Sequence, residues 1–287
     1  MADSLIDLKG QCAIVTGGGA GIGRAIALAL AGAGADIVIA DIVPERSAEV
    51  AERVRELGAT PLPHPTDMAD VEAVRAMVEA ASDKFGRVDI LVNNVGGVVP
   101  KAFVEQSERS WRKVIDLNLV SMLTATAAAA QHMIDGGRGG SIINVSSIEG
   151  SRAAPLYAVY AACKAGMNNF TRTMALELAD HKIRVNTIAP DFTDTPGLRG
   201  NVRGPVDPST WIEFPPEAVD GIARRIPSGR PGRPEECGQA ALFLASEMGS
   251  YVTGVTLPVD GGSWASSGWV RDRAGKWVLS EITKGSD

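Results

Sequence analysis

Short runs of β-branched and other apolar residues alternate along the chain with longer Ala- and Leu-rich stretches of helical periodicity. This alternation is typical of βαβ units, in which a helix connects two parallel strands. The strand segments are almost continuously apolar, which indicates a sheet covered by helices on both faces. The pattern predicts an α/β protein with a doubly wound, seven-stranded parallel sheet, its strands at residues 12–16, 36–40, 60–63, 90–93, 141–145, 184–188 and 255–259.

The segment 193–233 breaks this alternation. It contains seven prolines, too many for a regular element, and is predicted to run as a long excursion above the sheet. We interpret it as a mobile lid over an apolar substrate pocket, with the alternative that its apolar residues pack among themselves or at a subunit contact. These residues are Leu198, Val202, Val206, Trp211, Ile212, Phe214, Val219 and Ile222.

The C-terminal tail, residues 264–287, is too apolar for a free end because it contains Trp264, Trp269 and Trp277. Its two arms flank the turn 272–275 and are typical of a β-hairpin. We expect the tail to cover a neighbouring subunit of an oligomer. With no internal repeat and no linker, the whole chain, 1–287, is predicted to form a single domain.

Composition and charge exclude several classes of protein. The 28 Lys and Arg against 34 Asp and Glu give a net charge of −6 without a basic block, so nucleic acid is not an expected partner. Cys12, Cys163 and Cys237 form no C-x-x-C pair and no cluster with histidine, which predicts no metal site and a reducing, cytoplasmic location. The acidic N-terminus and the short apolar runs predict neither a signal peptide nor a membrane span.

A glycine-rich loop, TGGGAGIG, begins at Thr16, where the first strand ends and a helix begins. Backbone N–H groups at that helix start can face a pyrophosphate. The glycine spacing is not G-x-G-x-x-G, although the physical arrangement is the same. Asp41 closes the second strand 18 residues after Gly23, where a carboxylate can accept hydrogen bonds from the adenosine ribose and repel a 2′-phosphate. The alternative role for Asp41, compatible with the first, is to cap the following helix.

Tyr160 and Lys164 lie four residues apart on a predicted helix and therefore share one face. A phenol has a pKa of about 10, and bringing it to neutrality takes about 4 kcal/mol of differential stabilisation. An ammonium at about 4 Å supplies about that energy at an effective dielectric of about 20. The strand 141–145 ends just before Ser146 and Ser147, and one of these hydroxyls can point at a substrate oxygen beside Tyr160.

Five motifs occur in order along residues 8–263: TGGGAGIG, NNVG at 93–96, Asn118, Ser147 and YAACK at 160–164. Together they resemble the short-chain dehydrogenase/reductase family, in its TGxxxGIG and YxxxK branch. The resemblance implies a Rossmann-type fold, a homotetramer and hydride transfer to or from nicotinamide. It also implies a catalytic tetrad in which Tyr160 is the acid/base, Lys164 lowers its pKa and holds the nicotinamide ribose, Ser147 binds the reacting oxygen, and Asn118 holds the helix geometry and a water.

The same resemblance implies which residues contact the cofactor. Asp67 would meet the adenine, Asn94 the adenosine side, Ile22 the pyrophosphate, and Thr195 the carboxamide or pyrophosphate. The full predicted set is Gly17, Gly21, Ile22, Gly23, Asp41, Asp67, Asn94, Gly96, Tyr160, Lys164, Pro190, Thr193 and Thr195.

Two positions depart from the family pattern. Asp191 follows Pro190 where a glycine is usual, and Thr193 stands where a bulky aliphatic residue usually faces the carboxamide with its backbone. Neither position contributes a proton-transfer group, so both affect cofactor placement more than the class of reaction.

The resulting hypothesis is an NAD-dependent enzyme that acts on a CH–OH group of a hydrophobic, steroid-like or alicyclic secondary alcohol or its ketone. The alternatives are a carrier-protein ketoacyl reductase, which would favour NADPH, and a non-catalytic nucleotide-binding homologue. An enoyl reductase would show a longer interval between tyrosine and lysine, and an extended-branch epimerase would need more chain after the sheet.

Overall fold

The computed structural model describes residues 5–279. Its main sheet has seven strands in the order β3-β2-β1-β4-β5-β6-β7, and every neighbouring pair is parallel. This confirms the predicted fold class, and no predicted strand end differs from the observed one by more than two residues. The strands are β1 Cys12–Thr16, β2 Asp36–Asp41, β3 Pro61–Pro65, β4 Ile90–Asn93, β5 Gly140–Val145, β6 Ile183–Pro190 and β7 Thr256–Val259.

Helices cover both faces of the sheet, as the continuous apolar strands predict. One buried cluster joins the sheet to α1, α2 and α8, and a second joins it to α3, α5 and α6. The strand order reverses between β1 and β4, which opens a crevice at the carboxyl ends of these strands. The helices are α1 Gly21–Gly32, α2 Pro44–Glu56, α3 Val71–Phe85, α4 Glu108–Ile115, α5 Ser121–Gly136, α6 Ala158–Glu177, α7 Pro216–Arg225, α8 Pro234–Ala245 and α9 Ser263–Ser266.

The helical stretch Glu108–Gly136 contains α4, a π-helical turn at Asp116–Val120, and α5. Among the described residues it is the one helix long and apolar enough to cross a membrane by length and composition. Ala125, Ala129 and Met133 of α5 belong to the buried cluster that joins the sheet to α3, α5 and α6. The apolar composition of α5 is therefore used in packing against the core.

The excursion between β6 and α8, residues 193–233, is called the lid below. Contrary to the sequence prediction, it contains a regular element, because α7 spans ten residues. The two adjacent prolines account for this: Pro215 is the N-cap and Pro216 is the first helical residue, where a fixed φ and a missing N–H carry no penalty.

Arg199 organises the rest of the lid. Its guanidinium donates to both carboxylate oxygens of Asp194, at 2.7 and 2.8 Å, and to the Ile212 carbonyl oxygen at 3.2 Å. It also lies 4.2 Å above the Phe214 ring, which packs against Phe192. One side chain thus ties the start of the lid to its middle.

The described part of the tail forms the predicted hairpin. Strands β8 Val270–Arg271 and β9 Trp277–Val278 pair antiparallel, and the Arg271 guanidinium lies 4.5 Å from the Trp277 ring. Strand β8 lies against α7 of the lid. Residues 280–287 of the predicted tail lie outside the described residues.

Candidate active site

The glycine-rich loop between β1 and α1 is fastened to the loop after β4. The Thr16 hydroxyl accepts hydrogen bonds from the backbone N–H groups of Asn94 and Val95, at 2.9 and 3.1 Å. The Asn94 side-chain amide in turn donates to the Thr16 carbonyl oxygen at 2.8 Å. Asn94, predicted to serve the adenosine side of the cofactor, therefore also holds two loops of the crevice together.

The loop requires glycine because its backbone segments lie too close together to leave room for a side chain. A Cβ on Gly23 would lie 2.1 Å from the Gly17 carbonyl oxygen, and Gly17 itself has φ of +64°. Helix α1 begins after Ala20, which gives no side-chain cap, and its first turn contains no acid. The N–H groups of this turn therefore retain their capacity to bind an anion.

Asp41 is buried at the end of β2 and faces the same loop. One carboxylate oxygen accepts from the Gly19 N–H at 3.1 Å, and the other accepts from the Val43 N–H at 2.9 Å. Val43 is the N-cap residue of α2, so Asp41 does not cap that helix directly. Each carboxylate oxygen retains a lone pair for a further donor such as a ribose hydroxyl.

A cavity of about 960 Å³ runs from Asp41 past the glycine loop to Tyr160. Three predicted site residues do not line it: Gly23, Asn118 and Thr193. The Thr193 hydroxyl donates instead to the Asp191 carbonyl oxygen at 3.3 Å, and the proposed role of Thr193 toward the carboxamide stays a prediction. The predicted residues that do line the cavity are Gly17, Gly21, Ile22, Asp41, Asp67, Asn94, Gly96, Ser147, Tyr160, Lys164, Pro190 and Thr195.

Tyr160 and Lys164 lie on α6, one turn apart, and both face the cavity. The Lys164 Nζ is 5.5 Å from the centre of the Tyr160 ring and donates to the Val145 carbonyl oxygen at 2.8 Å. Ser147 hydrogen bonds to Tyr160 and can donate to the Pro190 carbonyl oxygen at 3.5 Å. Ser146 is bound elsewhere, since its hydroxyl donates to the Lys164 carbonyl oxygen at 3.2 Å.

The electrostatics of this pair differ from the sequence prediction. Burial raises the pKa of Tyr160 to about 12, an effect opposed by the hydrogen bond to Ser147 and reinforced by the charge of Glu149. Burial also lowers the pKa of Lys164 to about 8. The Tyr160 pKa is therefore raised and not lowered as expected, because desolvation of the phenolate is the largest cause of the shift and Lys164 is not among its causes.

Asn118 lies fully buried in the π-helical turn, behind the cavity wall. Its side chain accepts from the Gly97 N–H at 3.0 Å and donates to the carbonyl oxygens of Gly97 and Val114, at 2.9 and 2.8 Å. A Cβ on Gly96 would lie 2.7 Å from the Asn118 Oδ1 and 3.1 Å from the Lys164 Nζ. Asn118 therefore joins the bulged helix to the loop beside Lys164. π-Bulges of this kind are frequent at functional sites.

A chain of buried polar side chains crosses the sheet beneath the site, and the sequence analysis missed it. The Asn93 amide donates to Thr126 at 3.0 Å and to Asn144 at 2.9 Å. The Asn144 amide donates to Thr171 at 2.8 Å, and Thr171 shares a hydrogen bond with Thr187 at 2.7 Å. Polar residues inside otherwise apolar strands were the available signal. These bonds fix α5 and α6 relative to the carboxyl ends of β4, β5 and β6.

Asp191, which replaces the usual glycine, lies in the cavity wall between two arginines. Its carboxylate is 3.4 Å from the Arg152 guanidinium and 3.3 Å from that of Arg225. Arg152 also binds both oxygens of Glu149. The two arginines therefore compensate the negative charge of Asp191. Both are distant from Asp191 in sequence, so the sequence alone did not predict these ion pairs.

Comparison with known proteins agrees with this geometry. A family model described as enoyl-(acyl carrier protein) reductase matches residues 17–263. The 3-oxoacyl-[acyl-carrier-protein] reductase of Thermotoga maritima is 37% identical over 255 residues, which cover 89% of this chain and 98% of that protein.

Two solved structures show the same architecture. A 7α-hydroxysteroid dehydrogenase complexed with NADH and 7-oxo glycochenodeoxycholic acid has a TM-score of 0.83 at 34% identity, covering 91% of this chain and 97% of the other. A gluconate 5-dehydrogenase from Burkholderia cenocepacia J2315, in complex with NADP and tartrate, has a TM-score of 0.81 at 35% identity, covering 92% and 99%.

The fold and these similarities define an oxidoreductase of the class that binds a nicotinamide cofactor. The chain belongs to the short-chain dehydrogenase/reductase family.

Proposed function

We propose that this protein is an NAD-dependent dehydrogenase that transfers a hydride between nicotinamide and the carbinol carbon of a hydrophobic, cyclic secondary alcohol. The proposal rests on one continuous cavity. The glycine loop and Asp41 line one end of it, and Ser147, Tyr160 and Lys164 line the other. A dinucleotide laid along it would bring its nicotinamide to the proton-transfer groups.

The residues of the crevice fit such a dinucleotide. The uncapped start of α1 suits the pyrophosphate, Asp41 suits the ribose hydroxyls, and Asp67 lies in the wall assigned to the adenine. Asn94, Gly96, Pro190, Thr193 and Thr195 are proposed to hold the remaining parts. Oxidised nicotinamide, when bound, accepts the hydride.

The proton of the alcohol is proposed to pass to the Tyr160 phenolate, with the Ser147 hydroxyl holding the reacting oxygen. Because burial raises the pKa of Tyr160 to about 12, the phenolate needs cationic neighbours at the moment of reaction. Lys164, with its pKa of about 8, is mainly an ammonium at neutral pH and is the cation that the protein itself provides. Asn118 is proposed to position the loop beside Lys164 and a water that relays the proton.

The apolar part of the cavity wall supports a hydrophobic substrate. Val98, Val99 and Val159 line it together with Tyr157, and Val202 is the one member of the predicted apolar lid set that reaches it. A related structure holds a bile-acid ketone, which is a cyclic substrate of this kind. We therefore propose a steroid-like or alicyclic alcohol as the substrate class.

The test is turnover by the purified protein with NAD and a panel of alicyclic and steroid secondary alcohols, followed by absorbance of the reduced nicotinamide. Production of NADH with cyclic alcohols, and weaker turnover of open-chain hydroxyacyl thioesters, is the expected result. The second candidate, a ketoacyl reductase, is favoured by the similarity to the Thermotoga protein and predicts the opposite order of substrates. A non-catalytic homologue would bind NADH and turn over no member of the panel.

Cofactor choice is proposed to depend on Asp41. A 2′-phosphate beside this carboxylate would lose the ribose hydrogen bonds and meet like charge. Each factor of ten in kcat/KM corresponds to about 1.4 kcal/mol, and we expect a preference for NAD over NADP of at least about 100-fold. Asp41→Ala should narrow this ratio mainly by weakening NAD. Equal use of both cofactors by the wild type would exclude Asp41 as the selector.

Assembly and location complete the proposal. The exposed indoles of the tail support a homotetramer in which the tail covers a neighbouring subunit. The three cysteines are free and buried, which is compatible with a reducing cytoplasm.

A further inference from the structure

Arg46 connects the cofactor end of the cavity to the lid. It lies in the first turn of α2, five residues after Asp41. Its Nε donates to the Gly204 carbonyl oxygen at 2.6 Å, and its Nη2 donates to the Asn201 carbonyl oxygen at 3.1 Å. Both acceptors belong to the lid, more than 150 residues away along the chain.

The stem of Arg46 is part of the site proposed for the adenosine. Arg46, Asp41 and Asn201 all line the cavity. A Cβ on Gly19 would lie 2.6 Å from the Arg46 Cβ and 2.7 Å from the Asp41 Oδ2, so both side chains flank the same glycine. Ile42 and Val43, which follow Asp41, carry no charge, and Arg46, the third residue of α2, is the first cation after Asp41.

The lid presents a preorganised acceptor for this guanidinium. The buried Asn201 side chain donates to the carbonyl oxygens of Arg203 and Pro205, both at 3.1 Å, and accepts from the Asp207 N–H at 2.9 Å. Gly204 sits in this turn with φ of +68°. One amide thus closes the turn 201–207, and the turn offers two carbonyl oxygens to the planar donors of Arg46.

We propose that Arg46 is a positioning residue that latches the lid to the cofactor half of the cavity. Val202 of this turn lines the cavity, as do Thr195 and Gly197 shortly before it, so the latch holds the substrate cover in place. The catalytic consequence rests on the proposed function, whereas the latch itself is a property of the protein alone. Residues of the nucleotide site and of the substrate cover are coupled through one side chain.

The first test is amide hydrogen exchange of wild type, Arg46→Ala and Arg46→Lys without added cofactor. Arg46→Ala should speed exchange in peptides covering 197–214 by about tenfold or more, with no change in peptides from β1 or β5. Arg46→Lys should restore little, because an ammonium cannot reproduce two parallel donors. The matched control is Arg53→Ala, on the same helix, which removes only an exposed pair with Glu56. It should leave exchange unchanged.

Kinetics provide a second readout. At saturating NAD, Arg46→Ala should raise the KM for the alcohol by about tenfold and lower kcat by less than about threefold. The Kd for NAD should also rise, because the Arg46 stem lines the adenosine site. Asn201→Ala disrupts the acceptor turn and should give a similar effect. The double variant should be no worse than either single variant, since both break one connection.

Unchanged exchange in the 197–214 peptides of Arg46→Ala would overturn the latch. A selective loss of turnover with NADP, without a change in hydrogen exchange, would also overturn the latch. That result would identify Arg46 as a ligand of the 2′-phosphate. If Arg46→Ala does not fold, the same exchange measurement on peptides 197–214 is made with Arg46→Lys and Asn201→Ala, each compared with wild type. Absence of wild-type turnover would reject the proposed function and leave the exchange result valid.

Discussion

The catalytic floor and the lid bound the same cavity in opposite ways. On the floor, formed by α6 and the ends of β5 and β6, Lys164 is 1% exposed and Ser147 is 8% exposed. On the lid, Val202 is 67% exposed and Ile212 is 60% exposed. The floor is held by buried hydrogen bonds that cross the sheet, whereas the lid is held by arginine contacts, among them those of Arg199, Arg46 and Arg225.

This contrast assigns proton transfer to the floor and substrate entry to the lid. Groups that transfer protons need fixed positions, and rigid strands and a long helix provide them. A substrate cover must open, and such segments come from the least stable part of a fold. We therefore expect changes on the floor to act on kcat and changes in the lid to act on KM.

The largest expected effect is that of Tyr160→Phe, which retains the ring and deletes the proton-transfer oxygen. General acid–base catalysis contributes about 10² to 10⁴-fold, so kcat should fall by about 10³. The Kd for NADH, measured by fluorescence titration, should change by less than about twofold. Turnover within tenfold of wild type would break the assignment of chemistry to the floor.

A pair of serine variants sharpens the description of the floor. Ser147→Ala removes a hydroxyl that faces the cavity and binds Tyr160, and should lower kcat by about 10². Ser146→Ala removes a hydrogen bond to the Lys164 carbonyl oxygen and should lower kcat by less than about threefold. The reverse order would transfer the catalytic role to Ser146.

The buried ammonium gives the floor a stability signature that the lid lacks. Burial lowers the pKa of Lys164 from 10.5 to about 8, so between these pH values unfolding takes up a proton and the contribution of this group to stability rises with pH. Lys164→Met lacks this term. The free energy of unfolding of Lys164→Met minus that of wild type should fall by about 3 kcal/mol between pH 7 and pH 11. A pH-independent difference in urea titrations would show that the fold does not lower the pKa of Lys164.

The smallest expected effect on catalysis is that of truncation after Ser263, which removes β8, β9 and the exposed Trp264. The particle mass by light scattering should fall below that of the wild-type assembly, because the tail is proposed to cover a neighbouring subunit. The KM for the alcohol should rise modestly, since β8 lies against α7 of the lid and Arg271 is 3.4 Å from the Pro227 carbonyl oxygen. An unchanged mass with unchanged kinetics would contradict the proposed role of the tail.

The sequence prediction agrees with the structure where the interactions are local along the chain, and it fails where they depend on distant residues. The seven strands and the hairpin at 272–275 were predicted because periodicity and turn composition are local. Helix α7 was missed, since the number of prolines was weighed without regard to the place of Pro216 at the first helical position. The apolar lid residues were predicted from hydrophobicity, and Val202 alone of that set reaches the cavity.

By itself, the sequence determined the alternation of strands and helices, the close glycine loop, and the placement of Tyr160 and Lys164 on one helical face, because each depends on the spacing of neighbouring residues. Only the tertiary structure decided how these groups are tuned. Desolvation sets the high pKa of Tyr160 and the low pKa of Lys164, and it depends on what the whole fold packs around them. The partners of Asp191 and the reach of Arg46 to the lid were likewise decided by the sheet, which brings distant segments to one edge where long charged side chains find their acceptors.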